Sequence, residues 1–141
     1  MQKFFQKEVW EKLRQLKGAD ARLRIAQDEE GIVAAYTHNR YDSDHSEYTP
    51  PEGYGNRLIG YLAIAARCRY QGGILADQAL TDALYEALDA ESHAANGVVV
   101  WGKVHRKNKA SKSMLARNEF SYRVAIPDDG PLEHWALMIS R

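Results

Sequence analysis

RYQGGILADQALTDAL, residues 69–84, sets Gly72 and Gly73 directly before a run with helical spacing. Leu80, Ala83, Leu84, Ala87 and Leu88 recur on one face, so the reading is a helix that opens after Gly73 and closes near Asn96-Gly97. The glycine pair has two readings. It is a plain turn into the helix, or it is a bare backbone cup for a phosphate, because the first N–H groups of a helix lack internal acceptors. The surroundings have to decide.

Upstream, RLIGYLAIAARC (57–68) is nearly all apolar from Leu58 to Ala66 and reads as a long strand central in a sheet. Before it, NRYDSDHSEYTPPEGYGN (39–56) is polar, carries Pro50, Pro51, Gly53 and Gly55, and reads as a long loop. ARLRIAQ (21–27) and GIVAAYTH (31–38) are two strands joined by the tight turn DEEG. Phe5, Val9, Leu13 and Leu16 mark one face of an amphipathic N-terminal helix, with Gly18 where a C-terminal cap belongs. Downstream, VVVWGKV (98–104) is a short buried strand, and NKASKSMLARN (108–118) is a short helix with Asn108 or Ser111 as its cap. FSYRVAI (120–126) and EHWALMI (133–139) form a second hairpin around PDDGP. The order α-β-β-β-α-β-α-β-β implies a single α/β domain over residues 1–141.

Bulk properties narrow the function. The 19 Lys and Arg balance 19 Asp and Glu, which disfavours a protein that grips nucleic acid by bulk charge. No apolar run reaches the ~20 residues that span a bilayer, and the charged N-terminus does not read as a secretory signal. The single cysteine, Cys68, excludes an internal disulfide and suits a reducing, cytoplasmic compartment. No compact His/Cys spacing points to a metal site.

AARCRYQGGILADQAL (65–80) resembles the acyl-CoA-binding motif of the GCN5-related N-acetyltransferases, the GNAT superfamily, in which a strand ends in A-V-x-P-x-Y-Q/R-G-x-G-x-G/A before a leucine-rich helix. Ala65, Ala66, Tyr70, Gln71, Gly72 and Ala76 match, and Leu80 falls on a family leucine. NKASKSMLARNEF resembles the family's N-x-x-A/S-x-x-L/F-Y-x-x-x-G-F block, with Asn108, Ser111, Met114 and Phe120 matching. The resemblance, from about Leu58 to Phe120, implies a mixed, centrally splayed sheet flanked by helices and transfer of an acetyl group from acetyl-CoA to a primary amine. It implies that Gln71, Gly72, Gly73, Ile74, Leu75 and Ala76 bind the pyrophosphate, that Ala65 and Ala66 hold the pantetheine arm and thioester, and that Asn108 contacts the cofactor. The acceptor is then a small molecule or a protein bearing an amine.

Four positions depart from the pattern. Ile74 replaces a motif glycine, Cys68 the proline, Glu119 the glycine before the closing Phe120, and Leu115 the tyrosine that serves many members as general acid. Ser111 and Tyr122 are the substitute proton donors, and Glu47 is the candidate base, in a cluster with His38, Asp42, Asp44 and His45 that reads either as an amine-recognition site or as a solvated acidic loop. KVHRKNKASK (103–112) is a basic stretch suited to coenzyme A phosphates or to RNA, or an exposed helix start. One helix precedes the first strand, fewer elements than the family has there, so a truncated, divergent member is expected, with a strand edge that a second copy of the chain would cover. The alternative to an enzyme is a non-catalytic acyl-CoA-binding or interaction module on the same scaffold.

Overall fold

The computed structural model describes residues 20–41, 49–68, 73–123 and 130–141. The expected N-terminal helix and the acidic residues of the 42–48 segment lie outside them. Six strands form one open mixed sheet: β1 (Arg22–Asp28), β2 (Gly31–Arg40), β3 (Tyr54–Ile64), β4 (Gly97–His105), β5 (Ser121–Arg123) and β6 (Leu132–Ser140), in the order β1-β2-β3-β4-β6-β5. Only β3 and β4 run parallel. Their crossover is helix α1 (Ile74–Ala90), and helix α2 (Lys109–Arg117) follows β4. Both expected hairpins form, β1 with β2 and β5 with β6.

α1 lies on the sheet by the face its sequence marks. Leu80, Ala83 and Ala87 are fully buried, and Leu84 and Leu88 complete the contact with Val98 and Val100 of β4. Ala79 and Ala83 meet Ala34 and Tyr36 of β2, where small side chains let the helix approach closely. The opposite face gathers Val99, Trp101 and Ala136 with Tyr41, Tyr54 and Leu58.

Four boundaries differ from the sequence reading. The stretch taken as loop up to Asn56 contains the start of β3, and Asn39 and Arg40 belong to β2. Asn56 tolerates burial because its side-chain amide donates to the Tyr41 carbonyl (2.8 Å) and accepts from Trp101 Nε1 (2.6 Å). Gly55 serves as a strand residue because a Cβ there would come within 2.6 Å of the Glu91 side chain. β3 stops at Ile64 rather than Cys68, giving way to a 3-10 turn at Ala66–Cys68. α1 stops at Ala90, short of Asn96, because Glu91 turns its carboxylate into the sheet.

That carboxylate meets the fold's buried charge network. Arg57 is inaccessible to solvent; its Nη1 lies 3.4 Å from Glu91 Oε1 and 3.1 Å from Asp20 Oδ2. Arg57 Nε and Nη2 both approach His38 Nδ1, at 3.2 and 2.8 Å. With Nδ1 accepting, the neutral ring carries its proton on Nε2, which sits 3.1 Å from Glu86 Oε1 but off the hydrogen-bond line. Tyr36 and Arg24 also donate to Glu86. Burial, aided by the Arg57 charge, pushes the His38 pKa down. Burial pulls Glu86 up, but hydrogen bonds from Tyr36 and Arg24, with the close His38 ring beside them, outweigh it and hold Glu86 below its usual range. His38 is therefore a packed element of the network, neither solvated with the acidic loop nor open to a substrate.

Truncating Arg57 strands a buried carboxylate and an imidazole, so Arg57→Ala costs about 3–5 kcal/mol in chemical denaturation. His38 and Glu86 each bind fewer protons in the folded chain than in the unfolded one. Stability is thus complete above pH 6.5, His38's ordinary value, falls as pH drops through and below it, and falls again below Glu86's ordinary 4.5. Denaturation midpoints between pH 8 and pH 4 check this, and His38→Gln flattens the upper limb of the curve.

Candidate active site

The parallel ladder between β3 and β4 runs from Tyr54–Gly97 to Ile59–Gly102 and then ends, although β3 stays on β2 to Ile64 and β4 stays on β6 to His105. The two strands part in mid-sheet, as the splay expectation requires. A bulge marks the place: Thr37 pairs with Tyr61 and His38 with Ile59, leaving Gly60 without a partner. Tyr61 N–H donates to Thr37 Oγ1 at 3.0 Å, and a Cβ on Gly60 would stand 2.9 Å from that oxygen, so the bulge needs glycine.

Between the parted strands lies a half-open cleft of about 260 Å³. Ile59, Gly60, Tyr61 and Leu62 form one wall and Gly102, Lys103, Val104 and His105 the other. Leu80 of α1 and Asn108, Ser111, Met114 and Leu115 at α2 close it. The antiparallel ladder aims alternate amides at β2; Ala65 N–H reaches Val33 O (2.8 Å), which turns the Leu62 N–H away from β2 and toward the opening. Strand edges without partners present donors and acceptors that a ligand must satisfy.

α1 begins beside this gap. Gly73 is its N-cap in the left-handed region (φ 82°), with no side chain capping the first turn. The first intrahelical bond is Asp77 N–H to Gly73 O at 3.0 Å, so the amides of Ile74, Leu75 and Ala76 have no acceptor within the helix. Ile74 projects into solvent at 59% exposure and so does not fill the turn that a motif glycine would keep clear.

The sequence-predicted residues divide accordingly. Asn108 and Ser111 come together in the cleft wall: Asn108 caps α2 by accepting from Ser111 N–H (3.1 Å), which leaves the Ser111 hydroxyl half-buried at the cleft. Gly73, Ile74, Leu75 and Ala76 form the first turn of α1. Ala65 spends its amide on Val33, and Ala66 starts the 3-10 turn, so the strand amide facing the gap comes earlier, at Leu62. Tyr122 is exposed on β5, edge-on to Trp135 at 6.0 Å and outside the cleft lining. Gln71, Gly72 and Glu47 lie outside the described residues. Leu115 is a buried floor residue. Cys68 is buried and free. Among the described residues no His, Cys, Asp and Glu group could hold a metal ion, and no helix is long and apolar enough to cross a membrane.

Sequence reading noted His105 only as part of a basic run. The structure puts it on the cleft wall, its Nδ1 accepting from Lys107 N–H (3.1 Å), an arrangement that places the proton of the neutral ring on Nε2. Carrying the β4 alternation through residue 105 is the signal that would have found it.

Glu119 holds φ 72° at the end of α2, where its amide bonds Ala116 O and the next amide, Phe120's, bonds Leu115 O. This is the left-handed closing position at which the family pattern has glycine. A side chain strains the backbone there, so Glu119→Gly stabilises by about 1 kcal/mol and raises the melting temperature by roughly 2–5 °C in calorimetry.

No family model and no curated protein matches the sequence. Solved structures do match. A GNAT-family acetyltransferase from Listeria monocytogenes superposes with TM-score 0.57 at 13% identity, over 83% of this chain and 64% of that one. An acetyltransferase from Streptococcus agalactiae gives TM-score 0.66 at 12% identity, over 95% and 76%. A mutant AtaT toxin, bound to the C-terminus of its antitoxin AtaR and to acetyl-CoA, gives 0.65 at 15%, over 96% and 76%. The chain thus spans just under two thirds of the Listeria protein and about three quarters of the other two. The order of the strands, the single parallel pair and its mid-sheet parting are those of the GNAT acyl-CoA N-acyltransferase fold, and this chain has that fold.

Proposed function

We propose that this chain is an N-acetyltransferase that moves the acetyl group of acetyl-CoA to a primary amine carried by a small molecule or a protein. The observation that carries the reading is the parting of β3 from β4 after Ile59 and Gly102, with the uncapped first turn of α1 beside it. A long, thin ligand ending in a diphosphate suits both features. The gap suits an extended arm that replaces the missing strand pairing, and the Ile74, Leu75 and Ala76 N–H groups donate to phosphate oxygens, with the helix dipole adding partial positive charge. The adjoining Gln71, Gly72 and Gly73 extend this cup in the sequence motif.

A thioester supplies an acyl group already activated, so much of the rate comes from placement and carbonyl polarisation. Leu62 N–H is the backbone donor turned toward the opening. Ser111 lines the cleft and would hydrogen-bond a departing thiolate, in a site whose floor residue, Leu115, has no proton to give. Asn108 caps α2 through Ser111 N–H and lines the cleft, which supports a contact from its side-chain amide to the cofactor. Glu47 is carried forward as the base on sequence grounds alone. A cytoplasmic setting accords with one free, buried thiol.

Titration calorimetry with acetyl-CoA tests the reading directly. Micromolar binding that Gly102→Leu removes is expected, since that side chain would fill the cleft; a folded wild type that binds no acetyl-CoA sinks the proposal. Asn108→Ser separates the two tasks of the asparagine. The cap survives, so the melting temperature holds, while loss of the amide weakens acetyl-CoA about fivefold. Ser111→Ala lowers kcat by at least tenfold at unchanged acetyl-CoA affinity. The buried Leu115 favours a second reading, a non-catalytic acyl-CoA-binding module, which predicts tight binding with no acetylated product from any amine in a broad panel.

A further inference from the structure

Asp77 puts a carboxylate in the first turn of α1. For the helix this is favourable, since an anion there complements the dipole. For a diphosphate approaching the same turn it is a repelling charge a few ångströms away. The structure answers with residues from a distant part of the chain. Arg117, in the last turn of α2, makes a two-pronged pair with it, Nε to Oδ2 at 3.1 Å and Nη2 to Oδ1 at 2.8 Å, and Asn118 Nδ2 adds a third hydrogen bond at 3.1 Å. The guanidinium also lies against the glycine that opens the helix: a Cβ on Gly73 would stand 3.3 Å from Arg117 Nη2.

We propose that Asp77 and Arg117 form a charge lock that sets affinity for the diphosphate of the acyl-CoA, with Arg117 the positioning cation and Asp77 its competitor. The inference rests on the acetyl-CoA reading above and assigns two residues that neither sequence block singled out. While the lock is closed, Arg117 cancels the Asp77 charge at the cup. When a diphosphate docks on the first-turn amides, the guanidinium beside Gly73 is shared between carboxylate and phosphate. Both carboxylate and guanidinium reach solvent, so the exchange needs no unfolding.

The sign of the effect separates this role from a structural one. Asp77→Asn removes the repelling charge and releases Arg117, so acetyl-CoA binds about three- to fivefold tighter, although the helix loses a favourable dipole contact and melts slightly lower. Arg117→Met leaves the carboxylate bare and weakens acetyl-CoA about fivefold to tenfold, and Arg117→Lys recovers part of the loss. S-acetylpantetheine, which lacks the diphosphate, competes equally well in all four proteins, and the Arg117→Met defect shrinks as NaCl rises. Calorimetry with acetyl-CoA, run with S-acetylpantetheine as competitor, reads all of these. A wild type that fails to bind acetyl-CoA defeats the acetyltransferase reading and this inference together. A wild type that binds, with Asp77→Asn unchanged or weaker, or with both ligands shifting alike in Arg117→Met, overturns the charge lock alone.

Discussion

Once β3 and β4 stop pairing, backbone donors and acceptors on both strands face a gap inside the sheet. Each such group left without a partner away from water costs about 1–3 kcal/mol, so a sheet opens in its middle only where something holds it open or fills it. Much of the rest of the chain serves that constraint. The Gly60 bulge, locked by the Thr37 hydroxyl, twists β3 off its former neighbour. Gly102 keeps the opposite wall bare, with Leu115 the nearest side chain to its missing Cβ at 3.7 Å. α1 and α2 close one side of the opening without crossing it, because their buried faces seat on Val98, Val100 and Val104 beside the gap.

Holding a gap open requires rigidity elsewhere, and the Arg57 network supplies it. Glu91, at the C-terminal end of α1, has the wrong sign for the helix dipole and would be unfavourable alone. Arg57, reaching up from the paired half of β3, turns it into an anchor. The same cation fixes the His38 tautomer, which faces Glu86 one turn and a half earlier on the same helix. α1 is thus pinned to β2 and β3 by charge over its C-terminal half and by alanines over its middle, while Asp77 in its first turn ties it to α2.

Periodicity alone located the strands and helices of the described core, since Leu80, Ala83 and Ala87 stand at helical spacing and Val98 to Val104 form an apolar run. The splay followed only from the two motif blocks, because nothing in the composition of β3 or β4 says that their pairing ends at Ile59. Polar residues misled in both directions. Asn56 and Gly55 look like loop residues and lie in a strand, since one is satisfied by Trp101 and Tyr41 and the other leaves room for Glu91. His38 reads as part of a polar, accessible cluster and is buried under α1. Partners such as Arg57 with Glu91, or Asp77 with Arg117, are 34 and 40 residues apart, and only the fold brings them together.

The departures from the family pattern become intelligible once each is placed. Ile74 does not crowd the cup, because its side chain points to solvent from the first turn. Glu119 occupies the left-handed position by strain and keeps the hydrogen bonds that glycine would make. Leu115 is different in kind. It exchanges a proton donor at the cleft floor for apolar packing on Phe120 and Val104, and no neighbouring side chain restores that function at the same place. Ser111 lies one helical turn earlier on α2, on the cleft side, so in the proposed reaction the leaving group would be met from the wall rather than from the floor. The thiolate of coenzyme A departs tolerably without full protonation, and a hydroxyl that only shares its proton suffices if the acyl group is held well. A site built this way depends more on the geometry of the gap than on any single acid. The proposed chemistry therefore resides in backbone that has no partner strand, and this is why glycines and alanines, rather than titrating side chains, carry the resemblance in the sequence.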